Sequence, residues 1–153
     1  MATTYSVQKT KWSQNTPIDF IKPNELAGRV RVAYALAEAA SLAVGPIEMF
    51  NLPNGARILS GELVHDALGG STTASVGHAA YKNSAGTVVA LDVDEYKAAA
   101  ASTGIVTVDI AATSALGRNS VVDADEDGIP ITVVTAGAAA TGTIELTMLY
   151  VVD

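Results

Sequence analysis

The chain is expected to be all-β: an antiparallel β-sandwich, jelly-roll-like, with an extended N-terminal arm and at most one short helix. Three observations predict this. Several short stretches alternate apolar and polar residues, most cleanly Ile144-Glu145-Leu146-Thr147-Met148 and Ile105-Val106-Thr107-Val108-Asp109-Ile110. A period of two places Ile144, Leu146, Met148 and Tyr150 on one face of a strand, with Glu145 and Thr147 on the other. Turn residues recur about every ten positions. Finally, apolar residues make up 49% of the chain but aromatic ones only 5%, and a core of Ala and Val suits two sheets packed about 10 Å apart.

Residues 1–27 read as an arm, polar and interrupted by Pro17 and Pro23, ahead of a single sandwich domain over 28–153. The arm carries isolated large apolar residues, Tyr5, Trp12 and the pair Phe20-Ile21. Disordered tails are poor in such residues, whereas a docking arm uses them as anchors that bury much area each. The body opens with the alternating run Arg29-Val30-Arg31-Val32-Ala33-Tyr34. Helix propensity favours a helix over 35–44, but the alternation does not clearly stop, so a strand is expected over 29–41.

Pro46 to Phe50 again looks strand-like, and Leu52-Pro53-Asn54-Gly55 is a turn, with Pro presetting φ at its second position and Gly closing it. A strand is expected over 56–66, with Gly61 as a possible bulge or close-packing point. Strands follow over 72–78 and 87–91, separated by the polar turn Tyr81-Lys82-Asn83-Ser84-Ala85-Gly86. The one helical candidate is 92–103, where Asp92 or Asp94 caps, the Ala run 98–101 propagates and Gly104 terminates. Strands return over 105–112, 129–135 and 143–152, the last two joined by the small-residue loop 136–142.

Charge divides the chain unevenly. The net charge is −7, yet residues 1–31 hold five basic residues against two acidic ones. An acidic body argues against nucleic acid as a partner, since phosphate contacts need clustered Lys and Arg. The basic leading segment suits an acidic neighbour instead. No run of about 18 apolar residues is present, so no membrane span is expected. Met1 to Ser6 lacks a charged start followed by an apolar stretch, so no secretory leader is expected either. The chain has no Cys, which excludes disulfides and thiolate metal sites.

The sharpest chemical motif is Asp123-Ala124-Asp125-Glu126-Asp127-Gly128, which matches the first half of a calcium loop. Its twelfth position is Val134 rather than a bidentate acid, and Pro130 follows the turn, so an acidic β-turn is expected and no metal site. His65 and His78 have no companion ligands at metal-binding spacing. There is no G-x-S-x-G elbow and no phosphate loop ending in Gly-Lys-Ser/Thr. No catalytic residue and no cofactor is expected.

Four segments together resemble the head decoration, or cement, proteins of tailed bacteriophages. They are Pro23-Asn24-Glu25-Leu26-Ala27-Gly28-Arg29, Leu52-Pro53-Asn54-Gly55-Ala56-Arg57, Asp66-Ala67-Leu68-Gly69, and the closing run from Thr135 to Ile144. The resemblance implies a non-enzymatic, jelly-roll-like virion protein, a homotrimer on the outer surface of the capsid, bridging neighbouring copies of the major capsid protein. On that reading Trp12, Phe20 and Ile21 anchor the arm to the capsid while Lys9, Lys11 and Lys22 steer it. The alternative is a head-fibre or tail module that binds host cell-surface glycans through Tyr81 or the acidic loop 123–128.

Overall fold

The computed structural model describes residues 28–110 and 121–152. The expected arm, 1–27, lies outside the described residues. The body is all-β, and no helix occurs among the described residues. The strands are β1 (Val30–Leu42), β2 (Gly45–Leu52), β3 (Arg57–His65), β4 (Thr73–His78), β5 (Tyr81–Lys82), β6 (Val88–Val89), β7 (Asp92–Ala101), β8 (Val106–Ile110), β9 (Ile129–Ala136) and β10 (Ala140–Val151).

Two four-stranded sheets form the sandwich, with orders β1-β10-β3-β8 and β2-β9-β4-β7, and every pairing is antiparallel. Set aside the small hairpin β5–β6 and the strands pair first with last: β1 with β10, β2 with β9, β3 with β8, β4 with β7. The chain is thus a long ribbon of paired strands folded over into two sheets.

Alternation decides which faces meet. Ile144, Leu146 and Met148 of β10 are fully buried, as are Ile58 and Leu63 of β3, and they meet Val76, Ile131 and Val133 in one core. Burying one such side chain stabilises by about 1.5–3 kcal/mol. Thr147 and Glu145, facing away from the core, are half-buried because β10 lies between β1 and β3.

The ambiguous stretch after Arg29 is a strand, paired with β10 from Val30↔Val151 to Ala39↔Gly142. Its alternation has an unusual content. Ala33, Ala35, Ala37 and Ala39 turn inward, while Val32, Tyr34 and Leu36 turn to solvent.

The expected helix over 92–103 is instead strand β7, paired with β4. Two steps along β4, from Val76 to His78, match five along β7, from Lys97 to Asp92. This bulge erases the period of two, so only the helix propensity of the Ala run remained legible. Gly77 makes the bulge possible. A Cβ there would collide with the Asp92 carbonyl oxygen and lie 2.8 Å from the Asp94 nitrogen.

Three smaller expectations shift. The turn after Leu52 runs one residue later: Ala56 N–H donates to the Pro53 carbonyl at 3.1 Å, so Gly55, with φ of 77°, occupies the third position. That position demands positive φ in a type II turn, which Gly meets more easily than Asn. The bulge in β3 falls at Leu59 rather than Gly61, since Leu149 and Tyr150 pair with Ser60 and Ile58. The loop before β10 is shorter than 136–142 because the strand begins at Ala140.

Candidate functional site

The sequence nominated Lys9, Lys11, Trp12, Phe20, Ile21 and Lys22 for partner binding. All six lie outside the described residues. The other nominated features can be placed, and each is tied into the scaffold.

The acidic segment 123–128 is a turn whose polar groups bond to neighbouring backbone. Asp123 Oδ1 accepts the Ser84 N–H at 3.2 Å, and hydrogen bonding from the Ser84 side chain, with that backbone bond adding to it, holds the Asp123 carboxyl below the ordinary value. Asp125 Oδ1 accepts the Asp127 N–H at 3.1 Å, and the Asp125 carbonyl accepts the Gly128 N–H at 3.2 Å. The Asn54 side chain accepts the Ala124 N–H at 3.2 Å, and Asn51 Nδ2 donates to the Asp127 carbonyl at 2.9 Å. Main-chain bonds Gly55 N–H to Val122 O and Val122 N–H to Ala56 O complete the join. The D-x-D-x-D-G pattern thus serves as a local turn bolted to the loop after β2. No group of three or more His, Cys, Asp or Glu residues among the described residues is arranged to hold a metal ion.

Two of the segments that carry the resemblance meet in space. Asp66 Oδ2 accepts the Thr143 N–H at 2.9 Å, Asp66 N–H donates to the Thr143 carbonyl at 3.0 Å, and Thr141 N–H donates to the Leu68 carbonyl at 3.0 Å. These residues hold the loop after β3 against the start of β10.

Both histidines are buried and bonded through Nδ1 to a main-chain carbonyl, His65 to Asp66 at 2.7 Å and His78 to Ala79 at 2.9 Å. A carbonyl only accepts, so Nδ1 carries the proton in each ring. The His78 ring also meets Tyr81 edge-on, with centroids 5.2 Å apart. Burial, with the Asp123 and Glu95 carboxylates adding to it, raises the Tyr81 phenol above its ordinary value.

Beside Tyr81 is an open cleft of about 370 Å³, lined by Asn51, Lys82, Asp125, Asp127 and Pro130 among others. It is shallow and lies where β5 meets the acidic turn.

The most prominent surface feature was missed at the sequence level. Val30, Val32, Tyr34 and Leu36 stand on β1 with exposures of 57%, 63%, 56% and 48%. Alternation had revealed a strand here but could not tell which side faced the core, because both sides read as apolar. The inward side being all Ala was the available clue. Local desolvation and the neighbouring Glu145 carboxylate, to which the phenol hydrogen-bonds, raise Tyr34 above its ordinary value.

No family model matches the chain, and no curated protein matches it. Two solved structures share its fold. A chain in the capsid of Ralstonia phage GP4 superposes with a TM-score of 0.61 at 22% identity, covering 82% of this chain and 86% of that one. A chain in the capsid asymmetric unit of cyanophage Pam1 gives a TM-score of 0.59 at 20% identity, again over 82% of this chain and 86% of that one. The chain is therefore similar in fold, along most of its length, to polypeptides found in two phage capsids.

Proposed function

We propose that this chain is a structural virion protein that binds the outer surface of a phage capsid and stabilises the shell by bridging neighbouring major capsid subunits. The observation that carries the reading is the fold shared with chains of two phage capsids over 82% of this chain. The placement of the acidic turn and both histidines supports it, since the turn is bonded to neighbouring loops and each buried histidine to the carbonyl of the next residue. The pairing of first strand with last supports a jelly-roll winding of the body.

Mechanically, the body is one sandwich over 28–153, and the arm 1–27 makes the attachment. Trp12, Phe20 and Ile21 supply apolar anchors and Lys9, Lys11 and Lys22 steer towards acidic capsid surface. A homotrimer multiplies weak contacts by avidity across the lattice. Because only the assembled shell presents the bridged site, binding stabilises that state by mass action. No chemical step, cofactor or metal enters.

The test uses purified shells of the phage that encodes the chain, stripped of it. Full-length protein should sediment with the shells to a saturable occupancy, and removal of residues 1–24 should abolish it. Undiminished occupancy without residues 1–24 contradicts the arm's role.

The cleft beside Tyr81 favours a second reading, a head-fibre or tail module for glycans, since an aromatic ring beside carboxylates and an amide is the chemistry that binds sugars. Defined glycan binding lost on Tyr81→Ala, without shell binding, would replace the capsid reading.

A further inference from the structure

The wide bulge of β7 opens a second cleft, which shares Tyr81 with the one beside the acidic turn. Between Asp92, opposite His78, and Lys97, opposite Val76, β7 carries extra residues, among them Glu95 and Tyr96. Neighbours on a regular strand face opposite sides of the sheet. Here Glu95 and Tyr96 line the same cleft of about 270 Å³, together with His78, Tyr81 and Asp123. Bulges re-aim side chains in this way and are concentrated next to functional sites.

The cleft holds a phenol that the fold does not use. Tyr96 is only 4% exposed, and its hydroxyl has no hydrogen-bond partner among the described residues. Buried polar groups are ordinarily bonded. Among the described residues, the fully enclosed side-chain atoms without a partner are Thr72 Oγ1 and Thr135 Oγ1. The Tyr96 oxygen is therefore reached from outside, through the cleft that its side chain lines. His78 lines it too. Its Nδ1 proton goes to the Ala79 carbonyl, which leaves Nε2 as an acceptor.

Charge and size select the occupant. Glu95 and Asp123 bring carboxylates, and neither Lys nor Arg is among the residues that line the cleft. Burial first, then the Glu95, Tyr81 and Asp92 groups, pushes the Tyr96 phenol up, so the local field is negative. Two phenol rings add the attraction of an aromatic surface for a cation. Such a lining suits a flat cation rich in N–H donors. A guanidinium has five donors and stacks on rings, whereas an ammonium is a point charge with three. The volume lies below the roughly 300–1,000 Å³ of small-molecule sites, so it matches one side chain rather than a whole ligand. We infer that this cleft is a socket for an arginine side chain of a partner protein, with the Tyr96 hydroxyl, His78 and the Glu95 and Asp123 carboxylates receiving its guanidinium.

The inference does not rest on attachment to a capsid, and it is tested without shells. The full-length protein is titrated with N-acetyl-arginine methylamide, followed by NMR chemical-shift changes. The citrulline counterpart, neutral and of nearly the same shape, is the control. The arginine probe should bind saturably at millimolar concentration, and the citrulline probe about tenfold more weakly or not at all. Asp123→Asn and Tyr96→Phe should each weaken arginine binding about threefold or more. Because the phenol bonds nothing among the described residues, Tyr96→Phe should not lower the midpoint of denaturant unfolding, which separates a binding role from a structural one. A lowered midpoint would show that the fold uses the phenol and would overturn the inference. Equal affinity for the two probes, no saturable binding, or arginine binding indifferent to both variants also overturns it.

Discussion

Lys97 shows how much a single residue reveals about this sandwich. It is buried on β7, and its ammonium donates to the carbonyls of Ala74 at 2.9 Å and Ala98 at 3.0 Å. Burial holds its pKa below the ordinary 10.5. The unfolded chain therefore binds the more protons between the lowered value and 10.5, and stability rises with pH across that window. Lys97's share is read as the difference in thermal stability between the wild type and Lys97→Met, which should move in favour of the wild type as pH rises from 8. The difference is needed because the raised phenols of Tyr34, Tyr81 and Tyr96 act with the opposite sign in both proteins. Gly77 gives the opposite kind of residue-scale constraint, because no side chain fits against the backbone of Asp92 to Asp94. Gly77→Ala should cost about 3 kcal/mol in denaturant unfolding, the upper end for overpacking.

At the scale of the element, strands differ in how visibly they declare themselves. Strand β10 alternates cleanly because one of its faces is core and the other is partly covered, and Ile144, Leu146 and Met148 are all buried as the pattern predicts. Leu146→Ala should accordingly cost about 3 kcal/mol, and Thr147→Ala, on the other face, about 0.5 kcal/mol or less. Strand β7 hides itself. Its bulges replace alternation with the adjacent buried pair Tyr96-Lys97, and Ala98 to Ala101 then reads as helix. Strand β1 was legible as a strand but not in its orientation, since Ala on one side and Val, Tyr and Leu on the other both count as apolar. What one sequence lacked was the sheet neighbour, β4 for β7 and β10 for β1. The acidic turn was legible, because its missing twelfth ligand and following proline already argued for local hydrogen bonding.

At the scale of the whole molecule, the described body offers a sandwich whose loops are stitched to one another, among them 51–56 with 122–127, 82–84 with 123–125, and 66–68 with 141–143. Its polar motifs are absorbed by that stitching. The surface left over is the apolar stripe of β1, which suits association, and the basic segment ahead of it suits an acidic partner. The proposed function is that this body contributes stability to a larger shell. The most direct test is therefore the thermal disruption of purified shells, measured by release of packaged DNA with and without saturating full-length protein. The account predicts that added protein raises the disruption temperature in proportion to occupancy. Shells that break at the same temperature at full occupancy, or that never take up the protein, would contradict it.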